Sequence, residues 1–188
     1  MQALANDQTR ITGQIAFNNF LIDSPRAREI DAILREARDL TSRQWYALMR
    51  ELTRICKIRS VHRQNLVVLA GREVVARRLV GDLTYSGTVN YGALGTDNTA
   101  VNAADTALGT EVARKLFARR TRTNAQVNFD FFFSQADTDG TYQEFGLFID
   151  GDASADSGQL FNHVLTGGWT KTNTEAMTVS AQININAS

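Results

Sequence analysis

The chain has 188 residues, 43% of them apolar, and its 20 basic and 20 acidic residues give a formal net charge of zero. This composition allows one domain with a real core, excludes a disordered chain, and, with Cys56 as the single cysteine, excludes an internal disulfide. Because no stretch approaches the roughly 18 apolar residues of a membrane helix, and MQALANDQTR lacks the apolar run of a signal peptide, we expect a soluble protein made in a reducing cytoplasm.

The first sixty residues are predicted to form an extended arm followed by two helices. Residues 1–22 hold scattered apolar positions, and we expect them to lie as an arm on another surface. Ser24 and Pro25 begin a helix, because serine can cap it and proline suits the first helical position. Thr41 to Gln44 resembles a capping box that begins the second helix. The apolar stripe of this helix is typical of a core face or a partner contact and contains Trp45, Leu48, Met49, Leu52 and Ile55.

The middle of the chain is predicted to hold a third helix, a short strand and a fourth, shorter helix. The third helix runs from about Asn65 to Val80, with Gly81 as its end. Thr88 to Ala93 predicts a strand that runs into a glycine-bearing turn. Asp105 is positioned to cap a short helix that contains Leu108 to Arg114.

The last third of the sequence predicts strands. Four segments rich in β-branched and aromatic residues alternate with turn-rich segments, and the segments are AQVNFDFFF, YQEFGLFID, QLFNHVLTG and AMTVSAQININAS. The last of them alternates apolar and polar residues, which is typical of an antiparallel sheet with one buried face. We therefore expect an α+β fold with an antiparallel sheet or small β-sandwich. The arm and helices form a docking region at 1–62, and an α+β domain follows at 63–188.

The sequence shows none of the motifs of common enzymes. No phosphate-binding glycine loop, HExxH zinc motif or GxSxG nucleophile motif is present. His163 alternates with Phe161 and Leu165, which indicates a hydrogen-bonded sheet residue, and His62 lies in a basic, solvated stretch. The acidic loop that begins at Asp150 resembles a calcium loop at its start, but Ala155 replaces the required glycine and Phe161 the required glutamate. We expect no catalytic residues, cofactor or metal site.

The charges are distributed unevenly along the chain. Residues 1–80 hold 14 basic and 8 acidic residues (14 − 8 = +6), and residues 81–188 hold 6 and 12 (6 − 12 = −6). No basic run with interleaved aromatic residues appears, so direct nucleic-acid binding is not favoured. The opposite net charges of the two halves of the chain instead favour attraction between copies in a ring or stack. The residues expected at assembly contacts are Phe17, Phe20, Trp45, Leu48 and Leu52.

Several stretches occur in an order that resembles a domain of tailed-bacteriophage structural proteins of the tail-collar, tail-fibre or baseplate type. They are NLVVLAGREVVARRLVG, VNYGALGTDNTA, DTALGTEVAR, QEFGLF, GQLFNHV and the alternating terminal strand, and together they cover about residues 65–188. The Gly95-Thr96-Asp97 turn departs from the pattern, because a second glycine is common where Asp97 stands.

The resemblance implies a non-enzymatic virion protein that assembles with its own copies and with neighbouring virion proteins, after synthesis in the host cytoplasm. A tail or baseplate adaptor or a fibre anchor is the preferred interpretation. A head or head-to-tail connector protein is the alternative within the same class. A carbohydrate-binding β-sandwich is a third hypothesis, with Trp169, Tyr142 and Tyr91 as its aromatic platform, although Trp169 is more simply a packing residue.

Glu144 stands out because it lies within the otherwise apolar strand YQEFGLFID. A buried carboxylate requires a partner. We predict a bidentate ion pair with Arg114, with Arg119 as second choice and with Glu111 competing for Arg114. Exposure of Glu144 to solvent on an edge strand is the alternative. Gly146 would permit close approach beside the pair.

Overall fold

The computed structural model describes residues 10–186 and contains three helices and nine strands. In chain order these are β1 (Arg10–Leu21), α1 (Pro25–Glu36), α2 (Ser42–Ile55), β2 (Ile58–Val67), α3 (Leu69–Leu79), β3 (Val89–Gly95), β4 (Glu111–Leu116), β5 (Arg119–Thr123), β6 (Gln126–Phe133), β7 (Gly140–Ile149), β8 (Gln159–Lys171) and β9 (Glu175–Asn186). All the strand pairs are antiparallel, which confirms the predicted α+β class.

The nine strands form one curled sheet in the order β4-β3-β7-β8-β2-β1-β9-β6-β5. β2 joins its two halves, because residues 58–65 pair with β1 and residues 66–67 pair with β8. The halves face each other across the main core. The Phe145 ring makes edge contacts there with Phe17 and Phe131, with ring centres 5.8 and 6.0 Å apart.

β1 is an internal strand of this sheet, so the expectation of an N-terminal arm is wrong for residues 10–21. All twelve residues of β1 pair with β9 on one side, and eight of them pair with β2 on the other. Its alternate residues Ile15 and Phe17 are fully buried, as the period of a strand requires when one face covers a core. Residues 1–9 of the expected arm lie outside the described residues.

α1 and α2 begin where the sequence predicts, and both predicted caps are confirmed. The Ser24 hydroxyl accepts a hydrogen bond from the Ala27 N–H at 3.1 Å, and Thr41 and Gln44 form a capping box. Both helices cover the outer face of the β1-β9-β6 half, where their apolar stripes bury Phe132 and Ala176. They are therefore part of the core of this chain.

The structure corrects several predicted elements. Residues 65–67 belong to β2, so α3 is shorter than expected, although Gly81 does follow its end with a φ of 78°. The helix predicted after Asp105 is absent from the described structure; residues 96–110 form turns, and residues 111–116 form β4. β5 was also not expected. The predicted boundary between residues 62 and 63 falls inside β2, so the sheet continues across it.

None of the three described helices has the length and apolar character needed to cross a membrane.

Candidate functional site

The Glu144 carboxylate is the centre of a polar cluster inside the β3-β7-β8 half of the sheet. Its side chain is 1% exposed. Oε1 accepts hydrogen bonds from the backbone N–H groups of Asp97 at 3.2 Å and Thr110 at 2.9 Å, and Oε2 accepts one from the N–H of Gly109 at 3.0 Å. The carboxylate therefore ties two turns to β7, namely the turn after β3 and the segment that enters β4.

His163 completes this cluster from the neighbouring strand β8. Its Nε2 lies 2.9 Å from Glu144 Oε2, and its Nδ1 lies 2.7 Å from Asp105 Oδ2. The imidazole is 5% exposed, and the prediction that it is a hydrogen-bonded sheet residue is confirmed. A buried imidazole between two carboxylates has both ring nitrogens engaged, and at least one of them must donate a proton.

Two glycines allow close approach within this cluster, Gly95 beside Glu144 and Gly109 beside Asp97. A Cβ added to Gly95 would lie 2.3 Å from Glu144 Oε1, and one added to Gly109 would lie 2.1 Å from Asp97 Oδ2. Gly146 also allows close approach, because its Cβ would lie 2.7 Å from Leu160. The expected role of Gly146 beside an ion pair is wrong, because its neighbours are Leu160, Leu108 and the Asn162 carbonyl oxygen.

The predicted ion pair between Glu144 and Arg114 is wrong. Arg114 instead forms a bidentate pair with Glu111, with distances of 2.6 Å (Nε to Oε1) and 2.7 Å (Nη2 to Oε2), and both side chains are buried. This is the competing pair that the sequence suggested. Arg119, the second choice, pairs with Asp130 at 2.6 Å. Exposure of Glu144 to solvent is also excluded by its burial.

Backbone geometry explains this outcome. A helix over residues 108–114 would present side chains to Glu144, whereas the observed turn presents the N–H groups of Gly109 and Thr110. β4 then carries Arg114 over the Phe148 ring, 4.8 Å from its centre, and toward the carbonyl groups of Asp152 and Ser157. Arg114 thus holds the loop between β7 and β8.

Two carboxylates of the acidic loop between β7 and β8 accept hydrogen bonds from nearby serine residues. Asp150 accepts hydrogen bonds from the Ser86 N–H at 2.6 Å and from the Ser86 hydroxyl, and Asp152 accepts one from the Ser154 N–H at 2.7 Å. Among residues 10–186, no group of three or more His, Cys, Asp or Glu side chains is arranged to hold a metal ion.

Four of the five residues expected at assembly contacts are internal. Phe17 and Leu52 are fully buried, and Phe20 and Trp45 retain 4% and 3% of their exposure. Leu48 is half-buried against the same helix cluster. The four buried side chains pack within their own chain, so their assignment to intermolecular contacts is wrong, whereas the assignment of Leu48 stays a prediction. The sheet buries them because β1 and α2 lie on it.

The proposed aromatic platform is also not formed. Tyr142 is 1% exposed, and Tyr91 is half-buried beside Arg114. Trp169 packs against the main core, donates its indole N–H to Asn19 Oδ1 at 2.7 Å, and lies beneath the Arg59 guanidinium. This arrangement supports the packing interpretation of Trp169.

Sequence reasoning missed Asp105 as a partner of His163 and the two turns as partners of Glu144. The available signal was the pair of glycine-bearing turns on either side of Asp105, which was interpreted as a helix cap. Three of the hydrogen bonds to Glu144 come from backbone N–H groups, and no pattern of side chains in the sequence predicts such bonds.

Comparison of the chain with protein-family models, with curated proteins and with solved structures finds no match.

Proposed function

We propose that this chain is a non-enzymatic structural component of a tailed-phage particle, acting in several copies as a tail or baseplate adaptor or as a fibre anchor. The proposal comes from the order of short motifs between residues 65 and 188 and from the way these motifs meet in the fold.

The convergence of four of the six motifs on Glu144 is the observation that carries the proposal. The Gly95-Thr96-Asp97 turn, the segment that begins at Leu108, the strand Glu144–Phe148 and His163 of GQLFNHV all contribute to one cluster. Chance matches to short motifs would be scattered over a fold, whereas these lie in mutual contact. The motifs therefore behave as the parts of one structural unit.

The state of the carboxylate supports a structural role over a catalytic one. Both Glu144 oxygens are engaged, because Oε1 accepts hydrogen bonds from two backbone N–H groups, and Oε2 accepts one from an N–H and lies 2.9 Å from His163 Nε2. A carboxylate with both oxygens fully engaged has no lone pair directed at a substrate. Its role in the proposal is to fix the two turns.

The contacts between copies in this proposal use exposed side chains. Ile33 on α1 and Tyr46 on α2 are 46% and 54% exposed. On α2, the exposed residues Arg43 and Arg50 lie one helical turn on either side of Tyr46. A neighbouring copy could present its acidic residues to this face, because complementary charges guide association.

The test is to locate the protein in intact particles and to measure its mass in solution. Antibody labelling of purified virions in the electron microscope should place it on the tail or baseplate. Mass photometry should show oligomers that dissociate as salt rises. Absence from particles, together with a strict monomer that binds glycans, would favour the carbohydrate-binding hypothesis.

A further inference from the structure

A groove with an apolar floor opens at the end of the sheet where β1 begins and β9 ends. Its volume is about 740 Å³, within the range of roughly 300–1,000 Å³ that is typical of small-molecule sites. α3, residues 86–89 and β5 form its walls. The floor is continuous with the main core and includes Val74, Phe129, Phe161 and Ile183.

Three arginines line this groove. Arg78 comes from α3, and Arg120 and Arg122 are alternate residues of β5, so their side chains lie on the same face of that strand. Arg120 stacks over Phe117 and reaches Asp39 only at 3.5 Å. Among the residues that the structure describes, neither Arg78 nor Arg122 has a carboxylate partner, and no acidic side chain lines the groove.

The apolar surface continues outward from the groove along the end of α3. Leu79 lines the groove and is 83% exposed, and the adjacent Val80 is 82% exposed. Contiguous exposed apolar side chains beside a cavity mark an interaction site more often than a solvated surface. The site therefore combines an apolar floor, an apolar lip and positive charge.

We propose that this groove binds a linear long-chain carboxylate, with the alkyl chain against the floor and the carboxylate bonded to the guanidinium groups of Arg78 and Arg122. Guanidinium groups match carboxylates in charge and geometry. An alkyl chain brings no polar group to the floor, whereas a peptide would bring a backbone N–H and C=O at every residue, which is costly where they find no partner. The inference does not depend on the proposed function.

Isothermal titration calorimetry of the purified chain with octanoate, decanoate and dodecanoate tests both parts of this site. Burial of the alkyl chain predicts that the affinity for the carboxylate rises about fourfold per methylene, or about 15-fold per added pair of methylenes. Nonyltrimethylammonium has the same nine-carbon alkyl chain as decanoate with a positive head, and it should bind at least about tenfold more weakly than decanoate. Equal affinity for the two head groups, or no dependence on chain length, would overturn the proposal.

Variants assign the binding to the groove. Arg78→Gln and Arg122→Gln should each weaken decanoate binding about fivefold, the upper end for an exposed charge pair, while the chain-length dependence is kept. Arg72→Gln is the matched control, because Arg72 is an exposed arginine of α3 that does not line the groove. An equal effect of Arg72→Gln would contradict the site.

A second copy of this protein is the competing occupant of the groove, and the oligomeric state of the same purified protein tests this alternative. If the carboxylates do not bind, and the chain forms a dimer that Leu79→Glu dissociates, the groove is an interface between copies and the proposal fails. Circular dichroism of each variant shows whether it is folded.

Discussion

The Nε2 atom of His163 lies 2.9 Å from the Oε2 atom of Glu144, and both side chains are buried between β7 and β8. This contact joins two neighbouring strands through their side chains, and Glu144 extends it to two turns through backbone N–H groups. The cluster therefore depends on one carboxylate.

Replacement of Glu144 should destabilise the chain more than the loss of one ordinary hydrogen bond. Glu144→Ala leaves three backbone N–H groups without an acceptor and removes the partner of His163 Nε2, and we expect a loss of about 3 kcal/mol in the free energy of unfolding. Urea denaturation followed by circular dichroism measures it. Glu36→Ala, at an exposed glutamate of α1, should change it by less than about 0.5 kcal/mol. Similar effects of the two changes would show that the cluster contributes little.

Gly95→Ala should disrupt the same cluster from the backbone side. The new Cβ would lie 2.3 Å from Glu144 Oε1 and 2.6 Å from the Thr110 carbonyl oxygen, so β3 or the turn must shift. We expect a cost of about 2–3 kcal/mol, in the range of overpacked cores. Gly81→Ala is a useful comparison, because its Cβ meets nothing within 4 Å and only the φ of 78° opposes it. It should cost about 1 kcal/mol, and a larger cost than that of Gly95→Ala would contradict the steric argument.

The buried pair of Glu111 and Arg114 should show strong coupling. Removal of one partner by Arg114→Met leaves an unpaired buried carboxylate, with an expected cost of about 3–5 kcal/mol. The double variant with Glu111→Leu should cost less than this single change, because no charge remains buried. A double-mutant cycle measured by urea unfolding gives the coupling energy. Additive effects of the two changes would refute the pairing as an energetic unit.

The raised pKa of Tyr142 predicts that the protein loses stability at alkaline pH. Burial, with smaller contributions from Asp139 and Asp137, raises the pKa of Tyr142 to about 12 from the ordinary value of 10. The folded state holds the phenol proton more tightly than the unfolded state. The resulting contribution to the free energy of unfolding is therefore complete below pH 10 and is lost as pH rises through 12. Relative to Tyr142→Phe, the wild-type chain should lose about 1.4 kcal/mol by pH 11. The measurement is urea unfolding of both proteins at pH 8 and pH 11, and a constant difference would contradict the shift.

The strands after residue 126 could be predicted from the sequence because their pattern is local. β9 alternates, and its residues Met177, Val179, Ala181 and Ile183 are buried on one face. β6, β7 and β8 combine β-branched and aromatic residues between turns, and each was found close to its predicted bounds.

β1 and β2 were missed because their place depends on distant residues. Nothing near β1 in the sequence indicates that β9, about 160 residues away, will cover its edge. β2 carries Arg59, His62 and Arg63 on a strand that is largely exposed, and its last residues Leu66 and Val67 continue into a helical pattern. Local periodicity therefore favoured a helix where pairing with β8 imposes a strand.

The candidate site was predicted in part. The burial of Glu144 and the hydrogen bonding of His163 followed from strand alternation, and the pairing of Glu111 with Arg114 was present as an alternative. The true partners of Glu144 are backbone groups in turns, and side-chain chemistry gives no sign of them.

The position of β1 between β2 and β9 also constrains the order in which the chain can fold. The first and last of the nine strands are neighbours inside the sheet, so a nascent chain cannot complete it until β9 has left the ribosome. Until then one edge of β1 lacks its hydrogen-bonded neighbour, and the pairing that completes the sheet spans almost the whole chain. Such long-range pairing predicts slow folding, and it makes β9 the strand whose synthesis commits the chain to its native state.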